Sequence, residues 1–242
     1  MTRTRSNGRG PNQTRPLRFT RAFTGSPPGS VLVESGDTKI LCTVTLTDKT
    51  PIWLQSEGGA WLTAEYSMLP GSTNTRKPRE GRAGRVDGRS QEIQRLIGRS
   101  LRSVVDLKAM PDMTVWVDCD VLSADGGTRT AAINGACVAL YDALLGLEEK
   151  KTIRTWPLRS MVSAVSVGLL DGQPYVDLDY PEDVAAEVDM NVVCTEEGRF
   201  VEIQSTAEGH PFDREQFDRL LDLARDACGE IHKAQKQALG LD

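Results

Sequence analysis

Hydrophobic and polar residues alternate at every second position in several parts of the chain, which is the pattern of half-buried β-strands. Residues 30–34 and 39–46 alternate in this way on either side of Gly36-Asp37. A glycine-containing turn between two alternating runs indicates a β-hairpin. Further strands are predicted over residues 60–68, 115–122, 161–170, 173–178, 190–195 and 199–204.

Three segments instead repeat apolar residues every three or four positions, as amphipathic helices do. They cover about residues 90–108, 130–147 and 214–238. The second is apolar on nearly all sides, which is typical of a helix buried in a core. The third begins after Asp213, which with Gln216 forms a predicted capping box.

The predicted strands precede the helices in each half of the chain. Such segregated runs indicate an α+β fold with mostly antiparallel or mixed sheets. The similar order of elements in the two halves suggests an internal duplication. Residues 1–15 are polar and rich in arginine, and they predict a flexible basic arm ahead of a single domain over residues 16–242.

Composition narrows the class of protein. The chain has 242 residues, of which 39% are hydrophobic and 26% are charged, as in a globular protein. No secretory signal or membrane-spanning stretch is expected, and the five cysteines include no CxxC pair. Free buried thiols in a reducing, cytoplasmic setting account for this pattern better than disulfides or zinc.

Charge is distributed unevenly along the chain. Residues 1–102 contain 17 Lys and Arg against 8 Asp and Glu, whereas residues 103–242 contain 12 against 26. The net charge of −5 therefore conceals a basic half that can face a polyanion. A basic loop over residues 70–90 concentrates this charge, although such asymmetry can also serve solubility alone.

A glycine-rich turn, Asp125-Gly126-Gly127-Thr128-Arg129, separates a predicted strand from the buried helix. Glycine allows the backbone to approach a ligand closely, and the free N–H groups of a helix N-terminus favour phosphate. Thr128 can add a hydroxyl donor and Arg129 a bidentate guanidinium. The same turn could also be a tight strand–helix connection that needs glycine for geometry only.

Arginines continue into the next helix. Arg89 lies at its N-terminus, where a cation opposes the helix dipole unless an anion is bound nearby. Arg95, Arg99 and Arg102 share one face of this helix. That face is a candidate RNA track, and a solvated or subunit-facing surface is the alternative.

Six carboxylates occur within residues 177–189. They repel one another unless a cation is present, and Mg²⁺ is commonly held by one or two carboxylates together with substrate phosphates. An acidic surface loop is an equally good interpretation of the charge pattern alone. Asp189 immediately precedes an apolar strand, a position at which a side chain can be held rigidly.

Histidine chemistry is poorly represented. The only two histidines are His210 and His232. A Ser–His–Asp triad or a zinc site could be assembled only if it used one of them. Inorganic phosphate needs no protein base to become a nucleophile near neutral pH. Positioning and charge neutralisation then supply the catalysis.

Several of these segments, taken in order, resemble bacterial ribonuclease PH, a phosphate-dependent tRNA 3′-exonuclease related to polynucleotide phosphorylase and the exosome ring subunits. The resemblance covers about residues 11–240. The matching stretches are Thr63–Pro70, Gly88–Arg99, Asp118–Val121 with Ala124–Thr130, and Asp189–Val193.

The resemblance implies a role for each candidate residue. Inorganic phosphate, the co-substrate, would be held by Arg89, Gly127, Thr128 and Arg129. Asp183 and Asp189 would be the catalytic acids that also hold Mg²⁺. RNA would be bound by Arg76, Arg79, Arg95 and Arg99, although Gly71 stands where a relative has arginine.

The resemblance also implies a fold and an assembly. The fold would comprise two βαβα-type halves of the ribosomal S5 domain 2 type. Three dimers would close a homohexamer that trims precursor tRNA and other RNA 3′ ends, away from membranes. The alternatives are a catalytically silent RNA-binding ring subunit and an α+β enzyme acting on small nucleotides or phosphates.

Overall fold

A computed structural model describes residue 5, residues 8–79 and residues 87–241. Nine strands and four α-helices lie within this described part of the chain. The strands are β1 Leu17–Arg21, β2 Gly29–Ser35, β3 Thr38–Thr47, β4 Trp61–Met68, β5 Thr114–Ser123, β6 Val162–Leu170, β7 Gln173–Val176, β8 Val188–Thr195 and β9 Phe200–Ala207. The helices are α1 Gly88–Arg102, α2 Thr128–Glu149, α3 Tyr180–Ala185 and α4 Arg214–Leu239.

The first half of the chain forms a five-stranded sheet in the order β1-β2-β3-β5-β4. Its neighbours are antiparallel except β4 and β5, which are parallel because α1 crosses over between them. The predicted hairpin is confirmed as β2 and β3, with Ser35 paired to Thr38 around the turn. Every second residue of β3, at Ile40, Cys42 and Val44, is fully buried against the core, as the alternation predicts.

The second half forms a four-stranded antiparallel sheet in the order β7-β6-β8-β9, with α4 packed on it. The N-terminus of α4 has the predicted capping box, in which Asp213 accepts from the backbone N–H of Gln216. Gly240 ends this helix in a left-handed conformation with φ of 72°. The two sheets and their helices confirm the predicted α+β class.

Helix α2 joins the halves. It packs on β2 and β3 of the first sheet and on β6 of the second, so one apolar cluster runs from the first sheet to Val162 and Ala164. By length and composition α2 could also span a membrane, but 78% of its apolar window is buried in the fold. Packing between the two halves accounts for its apolar surface.

The prediction of a helix over residues 90–108 is wrong at its C-terminal end, because α1 ends at Arg102. Val104 and Val105 are buried as expected, but Val104 lies in the turn after the helix and Val105 forms a β-bridge with Leu158. The backbone N–H of Arg159 donates to the carbonyl of Val104 at 2.7 Å. Two adjacent β-branched residues favour this extended pairing over another helical turn.

The hydrophobic periodicity of the sequence does not predict two elements, β1 and α3. Helix α3 has only six residues and arises inside the acidic segment, where Asp179 and Glu182 form a reciprocal capping box and Pro181 occupies the first turn. The acidic segment is therefore not a surface loop. Two of its carboxylates cap the N-terminus of a helix.

The N-terminal arm, defined here as residues 5 and 8–15, is packed on the second half. Arg5 and Arg15 are each only 3% exposed, and the backbone N–H of Val176 donates to the carbonyl of Pro11 at 2.9 Å. The prediction of a flexible arm is wrong for these residues, because their arginines meet buried carboxylates. Residues 1–4 and 6–7 of the predicted arm lie outside the described part of the chain.

Candidate functional site

The glycine-rich turn carries the chain from β5 into α2 and lies against the second half of the molecule. Gly126 and Gly127 both have positive φ, 73° and 63°, a conformation that residues other than glycine rarely adopt. A Cβ on Gly126 would approach the carbonyl oxygen of Leu178 to 2.6 Å. The glycine is therefore needed both for the turn and for the close approach of the segment that leads to α3.

The first turn of α2 presents groups that suit an anion. Gly127 is its N-cap and provides no side-chain cap, so backbone N–H groups there stay available to a ligand. The Tyr66 hydroxyl donates to Thr128 Oγ1 at 2.8 Å, and burial raises the pKa of Tyr66, which keeps that hydroxyl protonated. Because Thr128 accepts this bond, its own hydroxyl proton can be donated elsewhere.

Two arginines flank this turn. Arg129 lies in the first turn of α2, where its Nη1 contacts Gln204 Oε1 at 3.3 Å and Glu92 Oε1 at 3.5 Å. Arg89 lies in the first turn of α1 and is exposed. The N-terminus of α2 and the two arginines thus border one region, a strongly favourable setting for a phosphate.

Asp183 and Asp189 approach the same region from the second half. Asp183 is in α3, and Asp189 is in β8, paired with Gly168 on one side and Thr206 on the other. Burial and the nearby Asp183 raise the pKa of Asp189 to about 6, against the opposing effect of Arg129 and Arg89. Burial likewise raises the pKa of Asp183, and the same two arginines oppose that shift.

Asp189 also has an unsatisfied atom. Its Oδ1 is buried and has no hydrogen-bond partner among the described residues, while its Oδ2 accepts a long bond of 3.4 Å from Asn191 Nδ2. A buried carboxylate oxygen without a partner is costly and calls for a cation or donor. The pair of acids therefore fits a divalent cation that also touches a phosphate, although the described residues contain no group of three potential metal ligands.

The glycine-rich turn, the two arginines and the two acids all line one cavity of about 560 Å³. Both halves of the chain contribute to its walls, and it lies at the C-terminal end of β5 beside the N-terminus of α2. Among the predicted site residues, it is lined by Arg76, Arg89, Gly127, Thr128, Arg129, Asp183 and Asp189.

The remaining predicted residues are not in this cavity. Arg95 is exposed on α1, and Arg99 forms a bidentate ion pair with Glu202, with Nε–Oε2 and Nη2–Oε1 distances of 3.0 and 2.5 Å. Arg79 is exposed at the end of the first described segment. The rest of the basic loop, residues 80–86 with Arg82 and Arg85, lies outside the described residues.

Four further residues shape the site without having been predicted from the sequence. Tyr66 supports Thr128, Gln204 supports Arg129, Asn191 contacts Asp189, and Tyr180 presents a ring that is 60% exposed at the cavity. The alternation of β8 could have indicated Asn191, since it shares a strand face with Asp189. The other three reach the site through tertiary packing that periodicity does not encode.

Comparison with known proteins supports the wider family but does not single out bacterial ribonuclease PH, since the solved structures named below are exosome subunits. Residues 13–145 match the model of the 3′ exoribonuclease family, domain 1, and residues 160–227 match that of domain 2. Rrp46 of rice (Oryza sativa) is 23% identical with a TM-score of 0.79, and the match covers 97% of this chain and 100% of that one.

Two archaeal structures share the fold as well. A chain of an Archaeoglobus fulgidus exosome with RNA bound to its active site is 23% identical, with a TM-score of 0.80 over 95% of this chain and 91% of that chain. A chain of an archaeal exosome core is 20% identical, with a TM-score of 0.77 over 97% and 91%. The two matched segments cover both halves of the fold, and both contribute residues to the cavity. The chain therefore belongs to the RNase PH-type 3′ exoribonuclease family.

Proposed function

We propose that this protein is a phosphate-dependent 3′-to-5′ exoribonuclease of the bacterial ribonuclease PH kind. It removes 3′ nucleotides of precursor tRNA and other RNA as nucleoside 5′-diphosphates, and in reverse it acts as a tRNA nucleotidyltransferase. One observation carries the proposal: a single cavity combines the anion-binding turn of the first half with two acids of the second. Neither half alone offers both groups.

The anion-binding wall suits inorganic phosphate as the nucleophile. Hydrogen phosphate would lie between Arg89, Arg129 and the N–H groups at the start of α2, with the Thr128 hydroxyl as a further donor. These groups neutralise and orient the anion without removing a proton from it. This agrees with the sparse histidine content of the chain.

The reaction exchanges one phosphorus–oxygen bond for another. A phosphate oxygen attacks the phosphorus of the last phosphodiester, and the bond from that phosphorus to the preceding 3′ oxygen breaks. The proton of hydrogen phosphate passes to the released 3′ oxygen. The products are a nucleoside 5′-diphosphate and an RNA shorter by one nucleotide.

Asp183 and Asp189 would hold Mg²⁺ at the scissile phosphate, where the bound cation would neutralise charge that develops in the transition state. The support is the unpartnered Oδ1 of Asp189 and the raised pKa of the same carboxyl. Burial is the larger cause of that raised pKa, and repulsion between the Asp183 and Asp189 carboxylates adds to it. A cation between them would remove that conflict.

The cavity also has a basic rim for the RNA strand. Arg76 and Lys77 line it, and Arg79 and Arg95 are exposed arginines to which we also assign RNA contacts. Phosphate contacts of this kind position RNA without reading its sequence. The ring assemblies of the exosome relatives support a ring for this chain, and we propose a homohexamer of three dimers in the cytoplasm.

A catalytically silent ring subunit is the second candidate, since the structural relatives named above are exosome chains. The chain retains Arg89, Thr128, Arg129, Asp183 and Asp189, which a silent subunit would have no reason to keep together. An enzyme acting on small nucleotides would leave the basic rim without a purpose. These observations favour the phosphorolytic enzyme.

The deciding experiment incubates 5′-labelled, 3′-extended precursor tRNA with the purified protein, magnesium and inorganic phosphate. We expect stepwise shortening and release of nucleoside diphosphates, with no shortening when phosphate is omitted. Asp189→Ala protein purified in the same way controls for contaminating nucleases. Release of monophosphates, or RNA binding without any shortening, would refute the proposal.

A further inference from the structure

The acidic segment divides into two groups. Asp183 and Asp189 line the cavity, whereas Asp177, Asp179 and Glu182 are buried behind it. The second group meets cations from the N-terminal arm. The contacts pair Arg5 with Glu182, Arg9 with Asp177, Asp179 and Glu182, and Arg15 with Asp177.

Arg5 is the arginine nearest to the short helix α3. Its Nε and Nη2 each donate to one carboxylate oxygen of Glu182 at 2.7 Å, and its side chain is 0% exposed. Glu182 in turn accepts from the backbone N–H of Asp179 at 3.0 Å and so closes the capping box of α3. Asp183, the residue after Glu182, is thus one peptide unit from the ion pair.

Arg15 instead touches both halves of the molecule. Its Nη2 and Nε donate to the two oxygens of Asp177 at 2.7 and 3.0 Å, and its Nη1 donates to the carbonyl of Asp125 in the glycine-rich turn. The Arg15 backbone N–H also donates to Asp177 Oδ2 at 2.7 Å. Arg15 therefore ties the phosphate-binding turn to the segment from which α3 begins.

A six-residue helix is not stable by itself, because nucleation costs more than so few hydrogen bonds return. The orientation of α3 therefore depends on its capping box and on the groups that hold that box. Breaking a buried ion pair leaves an uncompensated charge, which strongly disfavours the original arrangement. The ion pairs of the arm are thus well placed to decide where Asp183 points.

We propose that Arg5 and Arg15 are positioning residues for the reaction. Arg5 orients α3 and with it Asp183, and Arg15 sets the separation between α3 and the turn that binds phosphate. This inference rests on the proposed function for its kinetic test. It assigns a role in turnover to an arm whose described residues do not line the cavity.

The two arginines should differ in their kinetic effects. Arg5→Ala should lower kcat about 100-fold, as expected when a reacting group is misplaced by about 1 Å, and should leave the phosphate KM within about twofold. The reason is that the hydrogen bonds of Arg5 go to the acid-bearing side and to the arm itself, and those described do not reach the glycine-rich turn. Arg15→Ala should lower kcat and also raise the phosphate KM, because Arg15 contacts the carbonyls of the turn.

Controls separate positioning from general stability. Arg18→Ala removes an exposed arginine of β1 and should change neither constant. Glu182→Gln keeps the shape of the capping residue and should reproduce the kcat defect of Arg5→Ala in weaker form, which serves if Arg5→Ala does not fold. Millimolar guanidinium should restore part of the kcat of Arg5→Ala, which a protein with a collapsed fold would not allow.

Hydrogen–deuterium exchange tests the arm without using activity. In Arg5→Ala, backbone amides of residues 180–186 should exchange at least about tenfold faster, while those of α4 should be unchanged. Unaltered exchange there, or an unaltered kcat, overturns the inference. If the wild-type protein shows no phosphorolysis, the proposed function fails, and the exchange result alone still decides whether the arm holds α3.

Discussion

The two walls of the cavity are built in opposite ways. The phosphate-binding wall begins a 22-residue helix that is buried between two sheets, and its geometry follows from that packing. The acid-bearing wall includes a six-residue helix whose caps and ion pairs are made of charged residues. The first wall derives its rigidity from apolar burial, and the second derives it from buried charge pairs.

This difference has a consequence for mutation. Apolar burial spreads stabilisation over many residues, so one side chain at the start of α2 can be removed without moving the helix. Charge pairs concentrate stabilisation in a few groups, so losing one can move α3. The predictions below test this contrast.

The largest expected effect is at Asp189. Asp189→Ala should reduce phosphorolysis about 1000-fold, because it removes a charged group directed at the reacting phosphate. RNA binding should be nearly unchanged, since the basic rim is elsewhere on the cavity. Single-turnover rates and fluorescence-anisotropy titrations with 3′-extended tRNA measure the two properties, and substantial turnover in the presence of magnesium would count against a catalytic acid here.

Arg129 tests the other wall. Arg129→Ala should raise the phosphate KM about 100-fold, since a hydrogen bond to a charged group contributes up to about 3 kcal/mol. The melting temperature should fall little, because α2 is held by its buried faces. Phosphate titrations at saturating RNA give the KM, and an unchanged phosphate dependence would contradict this assignment.

The contrast between the walls also explains which parts of the site follow from the sequence. The glycines, Thr128 and Arg129 are adjacent residues at a strand–helix boundary, so local pattern predicts their grouping. Asp183 and Asp189 join them only through the family resemblance and tertiary packing. Hydrophobic periodicity does not predict helix α3, because six residues are too few to show a period.

The N-terminal arm shows even more clearly that local sequence does not predict tertiary contacts. A polar, arginine-rich N-terminus predicts flexibility when its partners are ignored, yet Arg5 and Arg15 are almost fully buried. Their closest carboxylate partners, Glu182 and Asp177, lie more than 160 residues away in the sequence. A cluster of six carboxylates predicts positively charged partners, and for Asp177, Asp179 and Glu182 those partners are arginines of the arm.

Two helix caps with the same hydrogen-bond pattern provide a comparison of moderate expected effect. Asp179 and Asp213 each form a capping box, the first buried on α3 and paired with Arg9, the second exposed on α4. Asp213→Ala should cost about 1 kcal/mol of stability, and Asp179→Ala should cost more because it also removes a buried partner of Arg9. Only Asp179→Ala should also lower kcat, by about tenfold, because only α3 carries a catalytic acid; equal activity losses in the two variants would show that the effect is one of stability alone.

The smallest expected effect is at Tyr180, whose exposed ring lines the cavity at the start of α3. A base of the RNA 3′ end can stack on this ring, and such stacking contributes about 1 kcal/mol or more without regard to sequence. Tyr180→Ala should therefore raise the RNA KM about fivefold at this lower limit, while Tyr180→Phe, which keeps the ring, should match the wild type. Because the backbone N–H of Tyr180 and not its hydroxyl contacts Asp125, neither change should disturb the junction between the two walls, and a shifted phosphate KM in Tyr180→Phe would show that the walls are coupled through this residue.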